Sequence, residues 1–292
     1  MTNRRDFLKQ ASILVAGGVV GGSILSSCGG GTPKVKKHIG LQLWSLKDDV
    51  SDLGIQKVLE IVAQMGYTHV ETAGYNDGKI YNQDPSDFKK MVDDLGIRAT
   101  SAHMVREISN DPDEDRAWWN KAIEVHIAAG FKYIVMPWAP FKGEGATLDN
   151  AKRYGEYFSN IGMMSAAAGI SFGYHNHEFE LEDKIDGVPF LDVLKENTSR
   201  QVFFQNDVYW TKVGGYDPVE YMKKHADRIK TLHIKDVKAI GASGTMDFEA
   251  IFNQAYEIGV KDWYVEVEAY DGTPQEDVKK SLDFLYAADY VK

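Results

Sequence analysis

The sequence predicts an α/β fold: one closed (β/α)8 barrel of the TIM type. Three observations point to it. Eight strand-like apolar runs begin about 27 to 37 residues apart, enough for one helix and one strand per interval. The segments between them carry helical periodicity and end in glycine just before the next run, at Gly66, Gly96, Gly130, Gly169 and Gly259. The last four runs carry His, Asp or Glu at or near their ends, and in such a barrel the strand C-termini form the mouth that carries chemistry.

Taken in order, the predicted strands are 39–46, 68–74, 97–103, 133–138, 170–177, 202–207, 229–235 and 263–268, within a barrel domain of residues 38–292. After the first strand, Ile55, Val58, Leu59, Ile61 and Val62 repeat at helical spacing. After the second, Phe88, Met91, Val92 and Leu95 do the same and stop at Gly96. Trp118 and Trp119 fall in a predicted helix and read as packing or an interface. An open doubly wound sheet is the competing fold. It would announce a Gly-rich phosphate turn after its first strand, where this chain has Trp44-Ser45-Leu46-Lys47-Asp48-Asp49.

Residues 1–28 read as an export signal rather than as part of the fold. Arg4-Arg5-Asp6-Phe7-Leu8-Lys9 is a twin-arginine pattern, with Asn3 where Ser or Thr is usual, so general secretion is the alternative route. The apolar stretch 11–25 is short for a spanning helix, which needs about 20 residues. Leu25-Ser26-Ser27-Cys28 resembles a bacterial lipobox, and 29–37 reads as a flexible tether. The expectation is an exported, periplasmic or cell-envelope lipoprotein held to the membrane by lipid on Cys28. Cys28 is the only cysteine, so the mature chemistry has only N and O donors. The chain carries a formal charge of −10, and residues 1–27 contribute a net +2, leaving the mature part near −12. An acidic chain is a poor partner for nucleic acid. The oligomeric state is not legible.

The polar strand ends read GYHNHEFE (173–180), FFQNDVYW (203–210), TLHIKD (231–236) and WYVEVE (263–268). Asp207, His233 and Glu266, with a fifth-strand donor, form an O/N set that suits one divalent ion: Mn²⁺, Mg²⁺, Zn²⁺ or Co²⁺. The fifth-strand donor is Glu180 or His175, with Glu180 favoured and His175 and His177 left for acid/base work or sugar contacts. Glu266 and Glu268 share a strand face, and two such carboxylates repel unless a cation lies between them. Lys235 follows His233 and is placed to hold an enolate oxygen, or pairs with Asp236 or Asp207. Gln42, Trp44, Glu71 and His103 lie near the ends of the first strands and read as substrate contacts. Trp210 does too, and Trp44, Trp138, Tyr209 and Trp210 are candidate stacking faces for a sugar.

These residues carry a resemblance. Tyr174-His175-Asn176-His177 with Phe179-Glu180, Asp207-Val208-Tyr209-Trp210 with Gly214-Gly215-Tyr216-Asp217-Pro218, and Leu232-His233-Ile234-Lys235-Asp236 resemble the xylose-isomerase-like barrel superfamily, or sugar phosphate isomerases/epimerases. The resemblance runs from about Ile39 to the C-terminus. It implies metal ligands Glu, Asp, His and Glu on strands five to eight. Asp207, His233 and Glu266 match, while His175 stands where many relatives have the first Glu. It further implies a sugar or polyol substrate and proton abstraction next to a carbonyl, through an enediolate.

The expected function is a metal-dependent isomerase or epimerase of an unphosphorylated sugar or keto-sugar, since exported enzymes rarely meet sugar phosphates. A lyase or hydratase of 3-keto-glycosides would use the same site. A metal-free glycoside hydrolase, using two of Glu71, Glu180, Glu266 and Glu268, is a further alternative. So is a carbohydrate-binding lipoprotein without catalysis.

Overall fold

The computed structural model describes residues 37–292. The predicted signal, Cys28 and all but the last tether residue lie outside the described residues. Lys37 already belongs to the folded part, because its ammonium donates to the carbonyls of Leu285 and Ala288. No helix among the described residues is long and apolar enough to cross a membrane.

Eight parallel strands close in sequence order: β1 (Gly40–Gln42), β2 (His69–Thr72), β3 (Arg98–His103), β4 (Tyr133–Met136), β5 (Ser171–His175), β6 (Val202–Asp207), β7 (Ile229–Lys235) and β8 (Asp262–Glu266). β8 pairs with β7 and with β1, which completes the barrel. The outer layer holds α1 (Ile55–Met65), α2 (Pro85–Asp94), α3 (Pro112–Ala128), α4 (Leu148–Ala168), α5 (Phe190–Glu196), α6 (Pro218–Lys224), α7 (Phe248–Glu257) and α8 (Pro274–Ala287).

Period-two alternation sorts each strand between two environments. On β7 and β8, Leu232, Ile234, Trp263 and Val265 join the apolar shell with Ile251, Phe252 and Leu282 of the helices. Phe252 meets Trp263 edge-on at 4.8 Å. The intervening His233, Lys235, Tyr264 and Glu266 point into the barrel. Below the mouth the lumen is closed by a small apolar cluster of Tyr133, Val135 and Phe203. Gly173 lies in that layer, where a Cβ would meet the Phe203 ring at 2.7 Å.

The strands stop earlier at the mouth than the sequence predicts. β1 ends at Gln42, β5 at His175 and β8 at Glu266. Side chains there take over backbone donors that a longer ladder would use. Gln42 Oε1 accepts from Trp44 N, Asp207 Oδ1 accepts from Tyr209 N and Trp210 N, and Ser45 Oγ accepts from Val267 N. Residues 208–210, read as a strand end, open a short helix Val208–Val213 capped by Asp207.

The β2–β3 register passes from Val70↔Ala99 to Glu71↔Ser101, and the β6–β7 register from Phe204↔Ile229 to Gln205↔Thr231. Each step leaves one extra residue, Thr100 and Lys230, as in a β-bulge, and a bulge re-aims the side chains beyond it. Consecutive Thr100 and Ser101 therefore both reach the lumen. Thr100 Oγ1 lies 2.8 Å from Tyr264 OH, and Ser101 Oγ donates to Glu71 at 2.5 Å.

Candidate metal centre and active site

Four adjacent strands converge on one point. His175 ends β5, Asp207 ends β6, and His233 and Glu266 come from β7 and β8. Each offers one N or O atom, all within 4.8 Å of one another, and all four residues are buried. Asp207 divides its carboxylate between two jobs. Oδ1 caps the helix that follows, while Oδ2 is buried without a hydrogen-bond partner and lies 3.9 Å from His233 Nδ1. An orphaned carboxylate oxygen beside two imidazoles and a second carboxylate fits a divalent cation.

The cluster is braced from the opposite strands. Glu71 on β2 accepts from Gln42 Nε2 at 2.6 Å, from Ser101 Oγ, and from Gln205 Nε2 at 2.9 Å. Its Oε2 also meets His233 Nε2 at 2.5 Å. That contact orients the imidazole so that Nδ1 faces Glu266 Oε2, 3.1 Å away. A carboxylate behind a histidine is the usual outer support of a metal-binding imidazole. Gln205 Oε1 then reaches His103 Nε2 at 2.7 Å and His175 Nδ1 at 3.2 Å. Lys235 Nζ donates to Glu266 Oε2 at 3.1 Å and to Glu268, and lies 4.7 Å from the Trp210 ring centroid.

The charges follow from burial against partners. Burial alone would raise the Glu71 carboxyl, but His103 and His233 hold it at about 2. Burial disfavours the His233 imidazolium, yet Glu266 and Glu71 on its two nitrogens hold it up at about 10. Asp207 is pushed up to about 7 by burial, which Lys235 and His233 only partly offset. Glu266 is buried too, but Lys235 and His233 keep it well below the carboxylate range. Burial lowers His175 well below its ordinary value, reinforced by His233, and brings His177 to about 4. Lys235 is raised, because Glu266, Asp207 and Glu268 outweigh its burial.

Above the cluster opens a cavity of about 510 Å³, lined by His103, His175, His177, Glu266 and Glu268 and by residues of the first four loops. Several predicted contacts take other positions. Gln42 and Glu71 are fully buried beneath the mouth and do not line the cavity, and their contacts here brace the cluster. Glu180, favoured in the sequence as the fifth-strand ligand, is not in the cluster. The chain leaves β5 after His175, and Glu180 lies on a one-turn helix, Phe179–Glu182. There its carboxylate accepts from Tyr174 OH at 2.5 Å and from His177 N at 2.8 Å. With only a neutral phenol and an amide as partners, burial raises Glu180 to about 7. A hydrolase pair that relies on Glu71 or Glu180 loses both to these contacts.

The sequence reading missed Gln205 and Ser101. Gln205 was within reach, since alternation puts it two residues before Asp207 on the same face. Ser101 was hidden by the bulge at Thr100. A second N/O cluster, His38, His69 and Asp262, lies at the other end of the strands. It is saturated: Asp262 takes His38, Lys132 and Tyr133, while His69 meets Thr68 Oγ1 and Trp263 O.

Comparison with known proteins gives a consistent relationship. The family model for the xylose isomerase-like TIM barrel matches residues 59–288. Two structures of sugar phosphate isomerase/epimerase proteins from Parabacteroides distasonis ATCC 8503 are similar. One has a TM-score of 0.81 and 34% identity, covering 90% of this chain and 98% of that one. The other has a TM-score of 0.79 and 37% identity, covering 88% and 100%. An inosose dehydratase from Geobacillus kaustophilus (strain HTA426) is 24% identical, over 77% of this chain and 84% of its own.

Proposed function

The chain belongs to the xylose isomerase-like TIM barrel family, and from that premise we propose a divalent-metal-dependent enzyme that removes a proton next to a carbonyl. Its substrate is an unphosphorylated sugar or keto-sugar, and the reaction passes through an enediolate. The observation that carries this reading is the buried cluster of His175, Asp207, His233 and Glu266, of which His175 and Glu266 line the cavity. These four would hold the ion, with His175 rather than Glu180 as the β5 donor. When bound there, a divalent ion supplies Lewis acidity toward a carbonyl and a neighbouring hydroxyl.

The chain's own groups supply the rest. His177 lines the cavity and burial keeps its imidazole neutral, so it is the group assigned to take the proton. Lys235 brings a fixed positive charge beside Glu266, where negative charge develops on the substrate oxygen. Glu268 is placed to accept a substrate hydroxyl. No Arg or Lys is among the cavity-lining residues, which favours a substrate without phosphate.

Return of the proton to the other face gives an epimer, and return to the neighbouring carbon gives an isomer. Loss of a β-substituent gives a dehydratase or lyase, and this second reading is favoured by the inosose dehydratases among the relatives. Both share the first step. The test is NMR of keto-sugars in D₂O with and without a chelator. Deuterium should enter the carbon next to the carbonyl only with metal present. Full exchange after complete metal removal would sink the proposal.

A further inference from the structure

Two tryptophans among the described residues are well exposed, Trp44 at 43% and Trp138 at 40%, and both line the same cavity. An indole gains more from burial than most side chains, so leaving two of them open at one mouth needs a reason. The other tryptophans, at 118, 119, 210 and 263, are buried or half-buried. Val105, exposed at 52%, lines this cavity as well. Trp44 follows β1, Val105 follows β3 and Trp138 follows β4, so the apolar wall comes from the half of the barrel opposite the ion cluster. Lys47 Nζ lies 4.6 Å from the Trp44 ring centroid and braces that indole.

The cavity is also larger than the floor chemistry requires. That chemistry engages one carbonyl and one hydroxyl, whereas about 510 Å³ is within the range of pockets that enclose a drug-sized ligand. The extra room is walled by indoles, and no Arg or Lys is among its lining residues. A pyranose has an apolar C–H face, and a flat aromatic aglycone has two, so either stacks on an indole.

We infer that the mouth holds an outer subsite for a second ring, with Trp44 and Trp138 as its platforms, and that the substrate is an uncharged two-ring glycoside whose inner ring carries the carbonyl that the floor chemistry needs. This deepens the sugar reading of the floor and rests on it. The occupant of the outer subsite is either a second sugar or an aromatic aglycone.

Calorimetric titration tests this without turnover. Parent protein, Trp44→Ala, Trp138→Ala and the double variant are titrated with maltose, cellobiose and p-nitrophenyl β-glucoside, each against glucose. The parent should bind at least one two-ring ligand about tenfold more tightly than glucose, the size expected for a buried aromatic anchor. The double variant should lose that margin while melting as cooperatively as the parent. Preference for the disaccharides identifies a second sugar, and preference for the aryl glucoside an aglycone. No margin for any of the three in the parent overturns the subsite, as does a margin that survives in the double variant. Because binding is read alone, failure of proton exchange with this margin intact would count against the floor chemistry and not against the platform.

Discussion

The two halves of the barrel are built from the same repeating unit yet end differently at the mouth. Strands β5 to β8 deliver His175, Asp207, His233, Lys235 and Glu266. Strands β1 to β3 deliver Gln42, Glu71, Ser101 and His103, and the loops of β1 and β4 deliver exposed indoles. In the β5–β8 half a buried polar atom, Asp207 Oδ2, faces the cluster without a partner. In the β1–β4 half Glu71 alone gathers contacts from five side chains. A buried polar group with unused capacity points to a ligand, and one whose capacity is filled points to a brace. One half is therefore read as the reacting surface, and the other as its support and substrate wall.

The largest expected effect comes from breaking the reacting half at Asp207→Asn. Asparagine caps a helix about as well as aspartate, so Val208–Val213 keeps its start. The charge toward His233 is lost. Metal affinity by calorimetry should fall more than about a hundredfold, beyond what loss of an outer support costs. Stability should move the other way. Burial raises Asp207 to about 7, so in chelator its charge costs stability as pH rises from the unfolded value near 3.8 toward 7. The chelated variant should then melt above chelated parent at pH 8. A variant that melts lower and binds metal normally would make Asp207 a cap and nothing more.

Glu71→Gln breaks the bracing half and should do less to the metal and more to the fold. Loss of an outer support costs about 10- to 100-fold in metal affinity. Glu71 is held at about 2 in the fold, so its stabilisation is complete above the unfolded value near 4.5 and is lost as pH falls from there toward 2. Parent stability should therefore drop across that window, and the variant should show a shallower acid limb from a lower plateau. Melting curves between pH 2 and 7 measure both. Equal acid limbs would mean that Glu71 carries no net charge stabilisation.

The reacting half was the more legible in the sequence, for a physical reason. Asp207, His233 and Glu266 are polar groups at the ends of apolar strands, and period two fixes their face. The bracing half depends on contacts across the barrel, such as Glu71 with His233, 162 positions apart, and on a bulge at Thr100 that no local pattern announces. The fifth-strand choice turned on a chain direction. Alternation places His175 inward, but the turn at Asn176 carries Glu180 behind β5, and nothing in His-Asn-His-Glu-Phe-Glu encodes that turn. The export signal and Cys28 lie outside the described residues.

Glu180→Gln gives the smallest effect and sharpens the comparison most. Glu71 and Glu180 are both fully buried carboxylates. Two imidazoles beside Glu71 outweigh burial, whereas Tyr174 and one amide beside Glu180 do not. The raised value of about 7 means that Glu180 favours folding while protonated, a benefit complete below about 4.5 and lost as pH rises through 7. Glutamine mimics the protonated form, so the variant should hold its stability between pH 5 and 8 better than the parent. Its metal affinity should stay within about threefold, since its carboxylate serves Tyr174 and the His177 amide rather than the cluster. A hundredfold loss would restore Glu180 as the β5 ligand and require the 176–180 turn to rearrange when metal binds.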